Sequence, residues 1–324
     1  MSQNPAKFKL LGLPSIALEH VIRTMDLKTM FLFSLASRKA KSILNYSLPK
    51  VYFHVCVYFS FWGNNAIVLN QQFTIETNLD ISEEARSYMI QGILYKVVIS
   101  DGEVHMKWDE SFQVGMETLM THFAESFHLP KTAIEFGSGM NEAAALPLLN
   151  HAKSLNCPLT EIEMRLQDLP IEVYRAFLDV GPRIIQKLHL ESRSALDFQY
   201  RPSEVFKLDE LEIGDGHWVH LEDFMECKHV VVRNMTDHPN MYHADSKKLN
   251  DFFKLWKASN CKLEHLEFEV SYTRDLSFDE IIAELDGTNY LRIVDNQKVE
   301  IQRVDGIKAR IIMNSTHFFM DVFD

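Results

Sequence analysis

The sequence reads as an α/β chain: a small three-helix module at the N-terminus, then an irregular leucine-rich α/β solenoid that ends in a β-hairpin or meander. Three observations carry this reading. Apolar residues recur at helical spacing through the first fifty positions, short apolar strands recur between residues 159 and 268, and apolar and polar residues alternate near the C-terminal end.

The N-terminal module begins with Phe8-Lys9-Leu10-Leu11-Gly12-Leu13-Pro14, and proline is well placed in the first turn of a helix. Leu18, Val21, Ile22 and Met25 follow at helical spacing. Asp26 is a cap for a second helix with Leu27, Met30, Phe31 and Leu35 on one side, and a third runs from Arg38 to Tyr46. Three helices of this length make a poor independent core, so the module needs a partner or the rest of the chain to cover it.

The order Leu13-Pro14, Ile22, Met25-Asp26, Met30 and Phe33-Ser34-Leu35-Ala36-Ser37-Arg38-Lys39 resembles the F-box. The resemblance implies a module over 7–48 that binds a Skp-family adaptor, and through it a cullin–RING ubiquitin ligase. It assigns that contact to Leu13, Pro14, Ile22, Met25, Leu27, Met30, Phe33, Leu35, Arg38 and Lys39. One position departs: Ala40 stands where many F-boxes have tryptophan, which implies weaker binding or a relative of the usual adaptor. Pro14, Ile22, Met25 and Met30 are expected on an uncovered apolar surface, and burial of both Ile22 and Met30 inside the chain's own core would make the F-box reading wrong.

Residues 51–324 are expected to form one substrate-binding domain. Val51–Val57 and Leu94–Ile99 are rich in β-branched and aromatic residues, and Asp101-Gly102 is a hairpin signal leading into Val104–Trp108. Five segments then fit L-x-x-L-x-L: Leu159/Ile162/Met164, Ile185/Leu188/Leu190, Leu208/Leu211/Ile213, Cys227/Val230/Val232 and Leu263/Leu266/Phe268. Their starts lie 26, 23, 19 and 36 residues apart, close to the period of about 20–29 for leucine-rich repeats. Ile134/Phe136 is a weaker sixth member, and the usual asparagine is replaced by Gln167, Arg193 and Gly216 in the first three. An ordinary α/β domain with strands at these intervals remains the alternative.

Leu249–Trp256, Leu263–Leu266 and Ile301–Ile311 resemble pieces of the nematode F-box-associated type 2 domain, densest from Leu249 onward. Arg303-Val304-Asp305-Gly306 reads as its hairpin turn, and Ala309, Ile311 and Met313 alternate as a strand. The resemblance implies a ligand-binding domain.

Charge separates the two parts. The net charge is -12, yet residues 1–50 hold eight Lys/Arg and two Asp/Glu, leaving -12 - 6 = -18 for the rest. An acidic body repels phosphates, so nucleic acid is excluded as a partner. Cys56, Cys157, Cys227 and Cys261 show no C-x-x-C spacing, and the longest apolar stretch, Val51–Trp62, is too short to span a bilayer. An intracellular site, cytoplasmic or nuclear and away from membranes, is expected.

Catalytic patterns are missing. No phosphate loop occurs, and Gly137-Ser138-Gly139 is not a nucleophile elbow. His217, His220, Asp223, Cys227 and His229 match no standard metal spacing and read as a helix with surface histidines. No cofactor, metal or enzymatic activity is expected. In each L-x-L strand the middle residue faces away from the core. These residues are Glu135, Glu163, His189, Glu212, Val231 and Glu267, which predicts a negative face and a basic target segment. Two readings remain open: the recognition subunit of an SCF-type ligase, or a solenoid interaction scaffold without a role in ubiquitination.

Overall fold

Asp26 and Ser37 divide the N-terminal segment into its helices, α1 (Ser15–Arg23), α2 (Leu27–Ala36) and α3 (Arg38–Ser47). The Asp26 carboxylate accepts the Thr29 N–H at 2.7 Å and the Thr29 hydroxyl at 3.1 Å, and the Ser37 hydroxyl accepts the Ala40 N–H at 3.1 Å. Each satisfies a donor that a helix start leaves unpaired. The computed structural model describes residues 10–49, 54–59, 65–77, 85–100, 103–129, 131–137, 140, 142–155, 158–166, 169–181, 186–233, 245–269, 276–285, 291–295, 297–314 and 317–323.

The chain divides into two units, one of residues 1–134 with 143–158, the other of 135–142 with 159–324. In the first, the helices are followed by β1 (His54–Phe59), β2 (Asn65–Leu69), β3 (Phe73–Thr77), β4 (Arg86–Ile90), β5 (Ile93–Ser100) and β6 (Glu103–Trp108). They lie in the order β1-β2-β3-β6-β5-β4, antiparallel except for the parallel pair β3–β6. Gln91 and Gly92, with φ of +48° and +90°, form the two-residue turn between β4 and β5, a conformation that suits glycine. Residues 51–53 of the expected first strand and the Asp101-Gly102 turn lie outside the described residues.

Helix α4 (Phe112–Ser126) supplies the other half of the core under the three N-terminal helices; α5 (Glu142–Ser154) follows β7 (Lys131–Phe136), and the division between the units falls after Ile134 of β7. Phe31 stacks on Phe123 with ring centroids 5.3 Å apart and planes at 3°, and lies 5.7 Å from Phe73. Ser34 Oγ is 2.6 Å from the Phe31 carbonyl and 2.8 Å from Nε2 of His122. If the hydroxyl donates to the carbonyl, the imidazole Nε2–H becomes the donor to Ser34. At the rim, Lys41 pairs with Glu125, Gln91 Nε2 donates to the same carboxylate at 3.0 Å, and Asn45 Nδ2 donates to the Glu125 carbonyl at 3.1 Å. The N-terminal helices share one core with α4.

The second unit contains β8 (Leu159–Met164), α6 (Ile171–Val180), β9 (Lys187–Leu190), β10 (Glu210–Ile213), β11 (His229–Val232), α7 (Ser246–Ala258) and β12 (His265–Glu269). It continues with α8 (Phe278–Ile282), β13 (Leu291–Asp295), β14 (Lys298–Gln302), β15 (Lys308–Met313) and β16 (His317–Phe323). The sheet order is β8-β9-β10-β11-β12-β16-β15-β14-β13, parallel from β8 to β12 and antiparallel beyond. The L-x-L pairs Ile162/Met164, Leu188/Leu190, Leu211/Ile213, Val230/Val232 and Leu266/Phe268 are buried, so the sequence pattern marks the core face of each parallel strand. The expected turn at Arg303–Gly306 joins β14 to β15.

Two features depart from the repeat pattern. Helices join β8 to β9 and β11 to β12, but the connections from β9 to β10 and from β10 to β11 hold no α-helix. One residue before Gly216, which stands at the asparagine position, Asp215 is fully buried and accepts both the backbone N–H and the hydroxyl of Ser194, each at 3.0 Å. Gly216 beside it is packed so closely that a Cβ would meet Val232 Cγ1 at 2.0 Å. The histidine segment is not a helix. His217 is buried in a turn, Leu221–Phe224 is a single 3-10 turn, and His229 opens β11.

Candidate functional site

The helical face of the first unit separates core residues from surface residues along α1. Leu18 and Ile22, one turn apart, point inward and are 8% and 0% exposed. Ile16 lies about 200° around the helix from Leu18 and is 82% exposed. Leu11 (38% exposed) and Pro14 extend this apolar patch, and Tyr46 at the end of α3 is 85% exposed. Of the residues expected to meet the adaptor, Pro14, Arg38 and Lys39 are exposed, and Leu13, Met25, Leu27, Phe33 and Leu35 are half-buried.

Ile22 and Met30 depart from expectation: at 0% and 6% exposure they belong to the chain's own core. The physical reason is packing within the unit: α3 packs on both α1 and α2, and α4 packs on α3, with Phe31 of α2 stacked on Phe123 of α4. Ala40 is also interior, at 1% exposure, so no side chain at that position reaches the surface. Sequence analysis did not single out Ile16, although its place off the Leu18/Ile22 stripe was a signal for it. Tyr46 had no comparable signal.

In the second unit the predicted middle residues fall in one row. Glu163 is paired with His189, His189 with Glu212, Glu212 with Val231, and Val231 with Glu267. Glu267 pairs in turn with Phe319, and Phe319 with Ile312. Glu135 joins the end of the row: the Phe136 carbonyl accepts the Arg165 N–H at 2.7 Å, and Arg165 Nη1 is 3.7 Å from the Glu135 carboxylate. Paired residues project from the same side of a sheet, so this is one face.

The face is not a bare negative field, as the sequence suggested. Arg165 pairs with Glu163 and lies 3.6 Å from Glu191, and Arg233 Nε donates to Glu212 at 2.7 Å. His189 bridges Glu210 at 2.9 Å and Glu212 at 3.6 Å. His265 and His317 each approach Glu267 at 3.9 Å, and His265 Nδ1 is 2.6 Å from Asp321. The Arg233 pKa is raised, first by its hydrogen bond to Glu212. Glu135 is nevertheless shifted up, first by burial and then by the charge of Glu163, against the opposing pull of Arg165 and Lys187.

Burial pushes the Cys227 thiol up to about 12, leaving it protonated at neutral pH. Among the described residues, Glu76, Glu103 and His105 form one group of metal-ligand types, their atoms within 4.8 Å of one another; sequence analysis did not single it out. No helix among the described residues is long and apolar enough to cross a membrane.

The first unit carries exposed apolar side chains at Leu11, Ile16 and Tyr46, and the second a parallel strand face of ordered charges. In comparison with known families, residues 10–52 match the F-box domain, and residues 204–268 match the F-box associated family. The second match takes in Leu249–Trp256 and Leu263–Leu266 but ends before Ile301–Ile311, so it sits further toward the N-terminus than the sequence pieces suggested. No curated protein and no solved structure matches the chain. An F-box with an F-box associated region suggests, in general, a substrate-adaptor role in an SCF-type ubiquitin ligase. Burial of Ile22 and Met30 therefore fails as a test of the F-box: the match over 10–52 stands while both are interior.

Proposed function

We propose that this chain is the substrate-recognition subunit of an SCF-type ubiquitin ligase. The F-box, functionally 7–48, binds a Skp-family adaptor and through it a cullin–RING assembly. Residues 51–324 hold a target protein, with the parallel strands acting as an irregular leucine-rich solenoid. The observation that carries the reading is the pairing of the two domain types in one chain, at 10–52 and 204–268. Such a subunit needs no active site; it holds a target beside a charged conjugating enzyme and raises effective concentration.

Within the F-box, the adaptor contact falls on Leu11, Pro14 and Ile16, flanked by Leu13, Met25, Leu27, Phe33, Leu35, Arg38 and Lys39. Ile22 and Met30 support that surface from inside. The target contact falls on Glu135, Glu163, His189, Glu212 and Glu267, and the target presents a basic segment. The test is affinity purification with the proteasome blocked, comparing the native chain with I16D. A Skp-family protein and a cullin should be recovered with the native chain alone, and targets should accumulate on I16D. Equal recovery of the cullin on both would overturn the reading.

A further inference from the structure

The spacing of the charges on the strand face has a consequence for the shape of what binds there. Glu163, Glu212 and Glu267 occupy β8, β10 and β12, alternate strands of one parallel register, with His189 and Val231 between them. Neighbouring strands lie ~4.8 Å apart, so these carboxylates repeat at ~9.6 Å across the sheet. An extended polyproline II segment turns once every three residues and advances ~9.3 Å in doing so. Every third side chain of such a segment falls on the same side with the repeat of the carboxylates.

Two of the three carboxylates already hold a guanidinium, Glu163 that of Arg165 and Glu212 that of Arg233. Both arginines follow directly on parallel strands, β8 and β11, and their side chains are 49% and 43% exposed, so each is free to swing into solvent. Glu267 is faced by His265 and His317, each at 3.9 Å. Carboxylates still exceed fixed cations here: Glu135, Glu163, Glu191, Glu212 and Glu267 stand against Arg165, Arg233 and Lys187. The complementary partner is therefore cationic.

We propose that this face takes an extended basic segment of the target with Lys or Arg at every third position, and that Arg165 and Arg233 are built-in competitors for two of its three carboxylates. The proposal rests on the reading that residues 51–324 hold the target. It assigns the arginines a role opposite to that of ligand contacts: removing them strengthens binding.

Fluorescence anisotropy on the full chain tests this with a labelled Lys-Pro-Pro repeat peptide and a peptide of the same composition with its lysines in one block. The repeat should bind more tightly than the block. R165Q and R233Q should each tighten its binding by about 2- to 5-fold, the range of an exposed ion pair, and E267Q should loosen it by a similar factor. Equal affinity for the two peptides, or arginine variants that bind no better than the native chain, would overturn the proposal. Capture of cellular targets by E163Q/E212Q/E267Q separates the levels. Loss of targets in that variant, together with equal affinity for the two peptides, sinks the spacing and leaves the target-binding reading standing. Undiminished capture of targets removes the face itself as the target site.

Discussion

His122 lies beneath the N-terminal helices, 2.8 Å from Ser34 Oγ and 3.3 Å from Ser126 Oγ. Burial, with help from the charge of Lys41, lowers its pKa from 6.5 to about 4. A histidine depressed in the folded state leaves the unfolded chain binding more protons between those values. Its contribution to stability is thus full above pH 6.5 and is lost as pH falls toward 4, by about 3 kcal/mol if the shift is complete. Unfolding followed by circular dichroism should show stability falling across that window, with a smaller fall in H122Q; identical profiles would exclude His122 as the source. Asp215 gives a second prediction at this scale. D215A removes the acceptor for two buried Ser194 donors and should cost about 2–4 kcal/mol. A loss below about 0.5 kcal/mol in denaturant titration would show that the turn is held by other contacts. Neither residue was legible in the sequence as a structural anchor, because Ser34 lies 88 residues from His122 and Ser194 lies 21 from Asp215.

At the scale of elements, what was legible was local. The Asp26 cap, the three N-terminal helices, the strands around Leu94–Trp108 and the L-x-L core pairs all follow from neighbours in sequence, and all are present. The histidine segment failed because spacing alone does not separate a polar helix from a buried turn, and here Trp218 and His217 are drawn into the core. Ile22 and Met30 failed for a related reason: their helices close on α3 and on α4, the latter some ninety residues away in sequence, with Phe31 stacked on Phe123. That packing predicts how the helices behave alone. A fragment of residues 8–46 lacks Phe123, His122 and Glu125 and should melt weakly and without cooperativity; a sharp transition in the isolated fragment would contradict the shared core.

At the scale of the whole molecule, the uneven charge was legible from the start: +6 in residues 1–50 and -18 elsewhere. The face built from alternating strand positions was also legible, because a period of two fixes which side each residue takes. Its compensation was not, since Arg165 and Arg233 meet the row only through register. Replacing Glu163, Glu212 and Glu267 with Gln should slow target association and reduce its salt dependence while leaving the melting temperature unchanged. Target binding indifferent to salt would count against an electrostatic surface.

The central claim is that the outward face of the F-box, and not its buried stripe, docks a Skp-family adaptor. Titration calorimetry of a purified Skp-family protein against the full chain tests it, with I16D as the surface variant and I22A as the core variant. Ile16 is 82% exposed and Ile22 is fully buried. The account predicts that I16D loses adaptor binding at an unchanged melting temperature, whereas I22A melts earlier and still binds below its transition. Full binding by I16D, with loss of binding in a still-folded I22A, would contradict it.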